Sequence, residues 1–465
     1  MALLITNARI VTSTDEYVAD VYCENETITR IARGISPVSC AAGTEVIDAA
    51  GKFLFPGFID PHVHIYLPFM GTYAKDTWET ASRAALVGGT TTLIEMICPG
   101  KGDQPRDAFE LWLGKAQGVS ACDYSFHMGV TRWDEIAEAQ LREIVSRGVR
   151  SFKVFLAYKG ALGVDDRELY HALKLAKELG VVVTAHCENE TLIAEKQAEL
   201  LAAGCREPKW HEPSRPVAVE ASGVAHLMAF AEQTGAEVYI VHTSCEEAVR
   251  AAQRGIARGV RAHIETVIPY LTLDSSYAER DGDHGFEGAK YVMSPPIRAK
   301  HQQDFLWNAL RARTVDTVAT DHAPFDYKAQ KTMGKPPESD FTKIPNGIPS
   351  VENRVDLLYT YGVATGRIDL RTFVDAASTK AARIFGLKGK GTIAVGADAD
   401  LVIYDPDFRG KISAKTHHMA TDYNGWEGWE LKGRSSVVTV RGKIMARDGK
   451  FVGDMGHGQM VVRGK

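Results

Sequence analysis

Two histidines stand one residue apart in Asp60-Pro61-His62-Val63-His64. On a strand, positions i and i+2 face the same side, so both imidazoles would be aimed at one point. An HxH pair by itself is usually incidental. Three more apolar runs change the weighing, because each ends in a group able to ligate a metal. Val181-Val182-Val183-Thr184-Ala185-His186 and Val238-Tyr239-Ile240-Val241-His242 end in His. Val315-Asp316-Thr317-Val318-Ala319-Thr320-Asp321-His322 ends in Asp-His. Imidazole and carboxylate are the standard ligands of Zn²⁺. Separate core histidines with partners of their own would explain one such strand well and four poorly.

Lys153 is a fifth unusual group. In Val149-Arg150-Ser151-Phe152-Lys153-Val154-Phe155 it shares strand parity with Ser151 and Phe155. An ammonium facing the same point as the histidines would repel a metal, and lysine is rarely buried unpaired. Two readings stand. Lys153 is an outward, solvated side chain, or CO₂ converts it to a carbamate, an anion able to bridge two metals. Cys187 and Cys245 lie beside the ligand strands and read as small packing groups rather than extra ligands.

These side chains need a scaffold that brings strand ends together. Eight candidate strands lie near 57–63, 90–97, 122–130, 149–156, 181–186, 237–242, 260–266 and 315–321, with helical stretches between them. Eight strands alternating with helices predict an α/β chain with a (β/α)8 TIM-like barrel, whose strands converge at one mouth. Asp76-Thr77-Trp78-Glu79 has capping-box spacing and predicts a helix over 76–87. A second helix is predicted over 165–179, ending at Gly180. The segments 267–314 and 322–350 are long, and long loops in a compact domain are usually functional. Short β-rich runs fill the first fifty residues and return after Phe385. The barrel, 57–385, is therefore expected to be inserted into a small β-sandwich domain made of 1–56 and 386–465. The last ten residues, Gly456 to Lys465, read as a tail or an oligomer arm.

The 465 residues are 45% hydrophobic and 24% charged, which excludes a disordered chain. A net charge of −5 argues against nucleic acid as the main ligand. No apolar run approaches the ~20 residues of a membrane span, and the first residues lack the pattern of a signal peptide. Seven scattered cysteines without a CxxC pair point to reduced thiols and a cytoplasmic protein.

The chain resembles the dihydropyrimidinase/hydantoinase group of the amidohydrolase superfamily, which opens cyclic amides. The resemblance runs nearly end to end. It is carried by Pro56-Gly57-Phe58-Ile59-Asp60-Pro61-His62-Val63-His64, Leu67-Pro68-Phe69-Met70-Gly71-Thr72, Ser151-Phe152-Lys153-Val154-Phe155-Leu156-Ala157-Tyr158 and His186-Cys187-Glu188-Asn189. Val241-His242-Thr243-Ser244, Met293-Ser294-Pro295-Pro296, Ala319-Thr320-Asp321-His322 and Pro345-Asn346-Gly347 continue it. One departure is Glu265-Thr266-Val267-Ile268-Pro269-Tyr270-Leu271, where relatives commonly have Glu-Thr-Cys-Pro-Gln-Tyr-Leu. That segment is expected to supply no metal ligand.

The resemblance implies two zinc ions per subunit. His62 and His64 would hold one with Asp321, and His186 and His242 the other. Lys153, as N6-carboxylysine, would bridge both. A metal-bridging hydroxide would attack the ring carbonyl, Tyr158 would donate to the developing oxyanion, and Asp321 would move the proton to the leaving nitrogen. Ser294 and Asn346 would bind the ring's amide edge, largely through backbone groups, although flanking Pro and Gly alone would suggest ordinary turns. Tyr66, Leu67, Phe69, Met70, Phe155 and Tyr158 would form an apolar pocket wall, with Leu67 and Phe155 shaping substrate choice. The product would be an N-carbamoyl amino acid, and the protein a homotetramer without nucleic-acid or membrane partners.

Allantoinase and dihydroorotase are the neighbouring alternatives; Leu67 to Thr72 and Tyr158 favour the first reading. A non-catalytic scaffold relative is disfavoured because His62, His64, Lys153, His186, His242 and Asp321 are all present. Five protein ligands plus a bridge exceed what one tetrahedral Zn²⁺ needs, so elemental analysis of fully active protein is expected to give about two metals per chain. One metal or fewer would rule out a binuclear centre.

Overall fold

A computed structural model describes residues 2–282 and 285–464. The chain opens with β1 (Ala2–Val11), β2 (Glu16–Glu24), β3 (Thr27–Ala32), β4 (Glu45–Asp48) and β5 (Phe53–Pro56). One residue later, at β6 (Phe58–Val63), it enters a different sheet. A two-stranded hairpin, β7 (Pro68–Phe69) and β8 (Thr72–Tyr73), follows. The next strands are β9 (Thr90–Ile97), β10 (Asp123–Gly129), β11 (Ser151–Phe155), β12 (Val182–His186), β13 (Glu237–Ile240), β14 (Ala262–Val267) and β15 (Thr317–Ala319). The final strands are β16 (Leu401–Lys411), β17 (Glu430–Val440), β18 (Lys443–Arg447) and β19 (Lys450–Phe451).

Strands β6 and β9 to β15 form an eight-stranded parallel sheet in which each strand pairs with its sequence neighbour. Helices cover its outer face and side chains fill its inside, so the strands are almost wholly buried and read as near-continuous apolar runs. The sheet closes on itself at the mouth. Asp321 N donates to His62 O (3.0 Å) and His64 N to His322 O (2.7 Å). This is the TIM-type barrel that the strand count predicts.

The two chain ends make a nine-stranded sheet in the order β19-β18-β17-β16-β5-β1-β2-β3, with β4 beside β1. It has its own core, in which Leu3, Ile5 and Ile10 of β1 meet Leu401 and Ile403 of β16 and Val437 of β17.

The helix expected over 76–87 runs Trp78–Val87, and its cap is Thr77, not Asp76. Thr77 and Thr80 form the capping box. The Asp76 carboxylate is drawn inward instead, accepting from His322 Nε2 (2.9 Å) and Ala420 N (2.7 Å). The second helix, Asp166–Leu179, is capped by Asp165 with Glu168 and ends on Gly180 at φ 62°. Segment 267–314 is not one long loop, since it contains the helix Lys300–Arg311, packed through Leu306, Trp307 and Leu310.

The chain-end sheet is fastened to the lower end of the barrel by a buried ionic cluster. Lys390 Nζ donates to Asp123 at the start of β10, to Asp400 just before β16 (2.7 Å) and to Asp398 (2.9 Å). Arg441 also donates to Asp123. The described part of the C-terminal segment lies against its own barrel. Val461 N donates to Tyr124 O (2.7 Å), and buried Arg463 donates through Nη1 to Ser151 Oγ (2.9 Å).

Lys390→Ala would remove the cation these carboxylates share, leaving Asp123 with Arg441. Breaking a buried pair from one side costs about 3–5 kcal/mol, so denaturant unfolding should register a loss of that order. An unchanged midpoint would mean that the cluster does not join the two sheets.

Candidate metal centre

The alternation of β6 brings His62 and His64 to the barrel seam, where Asp321 follows β15. His62 Nε2 lies 3.1 Å and His64 Nε2 3.3 Å from the same Asp321 Oδ1. The three form a buried cluster whose ligand atoms all lie within 4.8 Å of one another.

This donor set fits a divalent metal. His62 Nδ1 donates to Glu265 Oε1 (2.7 Å), which leaves the lone pair of the neutral ring on Nε2. That atom is buried and faces a carboxylate oxygen of Asp321, and among the described residues no group donates to it. Two electron-pair donors set face to face repel each other unless a cation lies between them. The local field has the sign a cation needs. Burial works to lower the pKa of His62, but the Glu265 and Asp321 carboxylates outweigh it and raise it to about 9, so without a metal a proton is the cation held between Nε2 and Asp321. His64 is pushed down to about 4, chiefly by burial.

A second pair lies alongside. His186 Nδ1 and His242 Nε2 face each other at 3.0 Å, and the His62 and His242 ring centroids are 5.3 Å apart. Two nitrogens on one tetrahedral zinc would be separated by about 3.3 Å, so this spacing suits a shared ion. His186 Nε2 donates to Glu188 Oε2 (2.8 Å), which also accepts from Arg215 Nη1 (2.6 Å).

Lys153 is 1% exposed, its Nζ 4.8 Å from the Phe155 ring centroid. Burial pushes its ammonium down to about 8. Lys153, His64, His186, His242 and Asp321 line one cavity. The same cavity is lined by Leu67, Phe69, Phe155, Tyr158, Ser294 and Asn346. Asn346 Nδ2 donates to Ser294 Oγ (2.9 Å). Tyr66 and Met70, expected in the pocket wall, do not line this cavity. Tyr66 packs on Trp112 and Tyr73, with ring centroids 4.8 and 5.7 Å away. Met70 lines an adjoining cavity with His211 and Arg215, and that cavity shares Tyr158 and Asn346 with the first.

Three of the gathered residues hold a left-handed backbone unusual for side chains of their size: Tyr158 (φ 63°), His242 (φ 38°) and Asp321 (φ 52°). Such conformations cost about 1–3 kcal/mol each and persist where the surroundings over-determine them. At Tyr158 the backbone N–H is held by Glu190 Oε2 (2.6 Å).

Glu265 lies in a segment expected to supply no metal ligand, and the sequence assigns it no other role. Its carboxylate in fact backs the site, accepting from His62 Nδ1, His242 N (2.8 Å) and Tyr239 Oη (2.7 Å). A Glu with inward parity on β14 was the available signal. Glu188, two residues after His186, lies in one of the motifs that carry the resemblance, which assigns it no role.

Residues 53–445 match the Amidohydrolase family. The chain belongs to that family. It is a hydrolase acting on carbon–nitrogen bonds in cyclic amides. This amidohydrolase is 44% identical to a D-hydantoinase of Geobacillus stearothermophilus, over 100% of its own length and 97% of the relative's. It is 38% identical to a dihydropyrimidinase of Rattus norvegicus, over 99% of its own length and 88% of the relative's. Its fold matches a D-hydantoinase (dihydropyrimidinase) from Thermus sp. with a TM-score of 0.95 at 58% identity, covering 99% of both chains. No helix among the described residues is long and apolar enough to cross a membrane.

Groups that orient a metal-binding histidine usually matter about 10–100-fold to metal affinity. Glu265→Gln in this amidohydrolase should therefore lose metal to a competing chelator at a concentration about tenfold lower or less. Unaltered retention would make Glu265 a bystander.

Proposed function

We propose that this amidohydrolase opens 5,6-dihydropyrimidines and 5-substituted hydantoins to N-carbamoyl amino acids, using two zinc ions. One observation carries the reading. A single cavity is lined by the His186–His242 pair, by His64 and Asp321 of the seam cluster, by Lys153, and by the polar groups Tyr158, Ser294 and Asn346. The D-hydantoinase and dihydropyrimidinase relatives, matched over nearly their whole length, point to the same ring class.

His62, His64 and Asp321 would hold one ion, His186 and His242 the other, with Lys153 between. When bound, the ions supply a water of pKa ~7 as nucleophile and polarise the carbonyl under attack. The other steps fall to side chains. Tyr158 donates its phenolic hydrogen to the oxygen that gains charge, and burial keeps that phenol protonated by raising its pKa. Asp321 takes the proton of the nucleophile and passes it to the ring nitrogen as the carbon–nitrogen bond breaks. Ser294 and Asn346 hold the amide edge, while Leu67 and Phe155 bound the space for the ring substituent.

Lys153 suits carbamate formation. With its pKa near 8, roughly a tenth of the side chain is free amine at pH 7. The amine nitrogen bonds to the carbon of CO₂ and gives up a proton, leaving one negative charge shared by two oxygens where an ammonium stood.

A panel of dihydrouracil, 5-substituted hydantoins, allantoin and dihydroorotate tests the substrate. Fastest turnover is expected on the first two, and a profile led by allantoin or dihydroorotate would overturn the assignment. Lys153→Ala should abolish activity and most metal binding, with part of both restored by added acetate or propionate. Lys153→Arg should be no better than Lys153→Ala, since it keeps a positive charge; full activity would place the bridge elsewhere.

A further inference from the structure

Lys331 lies in the long connection after β15 and is fully buried. Among the described residues no carboxylate pairs with it, and burial alone pushes its ammonium far below the usual range. A buried amine without an ion partner is costly, and an aliphatic side chain would fill the same space at less cost. Its hydrogen bonds account for the choice. Nζ donates to Val292 O (2.8 Å) and to Pro345 O (2.6 Å).

Those carbonyls belong to the two segments that present the polar edge of the cavity. Val292 is two residues before Ser294, and Pro345 immediately precedes Asn346. The segments also meet directly, through Gly347 N to Val292 O (3.0 Å) and Asn346 Nδ2 to Ser294 Oγ (2.9 Å). Gly347 belongs to the same close approach, since a Cβ there would come within 2.3 Å of Ala323 O. From the other side, His211 Nε2 donates to Met293 O (2.9 Å). Two carbonyl oxygens brought together repel, and a donor between them turns that repulsion into a clamp. Even the neutral amine has two N–H groups, enough for both.

We propose that Lys331 is a positioning residue for ring recognition, fixing the separation between the Ser294 and Asn346 segments and with it the preference between five- and six-membered cyclic ureides. The proposal rests on the reading that Ser294 and Asn346 take the ring's amide edge. A five-membered hydantoin and a six-membered dihydropyrimidine present their amide groups at different separations. A clamped pair of segments can favour one ring, whereas an unclamped pair adapts to both. Lys331 touches neither the ring nor a candidate metal ligand, so its effect should appear in binding and discrimination rather than in the chemical step.

The test compares Lys331→Met, Lys331→Gln and Asn346→Ala in the metal-replete enzyme, with KM and kcat measured on dihydrouracil and on a 5-substituted hydantoin. Metal content is read by elemental analysis. Lys331→Met keeps the length and removes the donors. It should raise KM about tenfold for the preferred ring, move the ratio of kcat/KM between rings at least ~3-fold, and leave metal content intact. Lys331→Gln, with a shorter amide donor, should fall between wild type and Lys331→Met. If Lys331→Met does not fold, a Lys331→Gln enzyme with wild-type KM and ring preference overturns the proposal. A folded Lys331→Met enzyme with both unchanged overturns it too, provided Asn346→Ala is impaired. If Asn346→Ala, which breaks the Asn346 Nδ2–Ser294 Oγ bond between the two segments, binds both rings normally, the spacing of those segments does not set ring recognition, and the proposed role of Lys331 fails with it.

Discussion

The barrel closes where its electron-pair donors lie, and most of the site depends on that coincidence. The last closing contacts are Asp321 N to His62 O and His64 N to His322 O, backbone bonds that include all three residues whose side chains form the seam cluster. A slip of the seam by one residue would turn every side chain of β6 to the other face. The hydrogen bonds that finish the fold therefore also bring His62, His64 and Asp321 to one point. Beneath them Asp60 ties the same strands together, accepting from Thr320 Oγ1 (2.6 Å) and Thr320 N (3.2 Å).

Around this seam the polar groups are arranged in tiers. Glu265 fixes which nitrogen of His62 carries hydrogen, and Glu188 does the same for His186, so both rings offer lone pairs inward. Arg215 neutralises Glu188, and its guanidinium lies 5.7 Å from the Tyr158 ring centroid, connecting one histidine pair to the phenol across the cavity. The burial that makes these charges costly also strengthens each interaction between them.

The strand count and approximate positions, the barrel, and the gathering of chain ends into another sheet were all legible from local pattern. So were the residue types able to bind metal. Strand and helix signals sit within windows of five to fifteen residues, and β6, β12 and β15 each carry their donor at or just beyond the strand end. Errors arose where a local signal had a distant competitor. Asp76 had the right spacing to cap a helix, but His322, far along the chain, claims its carboxylate. Tyr66 looked like pocket wall because it is aromatic and lies on a loop near the mouth, but it packs against Trp112 instead.

The sequence by itself determined which groups could do chemistry and on which face of each strand they stand, because side-chain parity is a property of the strand alone. Only the tertiary structure decided which of those groups meet. Glu265 touches His62 across about two hundred residues because β14 and β6 flank β15, the strand that completes the ring. Lys331 is a clamp only because two separate segments present their carbonyls to it. In the C-terminal segment, read as a tail or an oligomer arm, Arg463 reaches Ser151 inside the barrel. Contacts of this kind depend on which strands become neighbours when the sheet closes, and no local period records that.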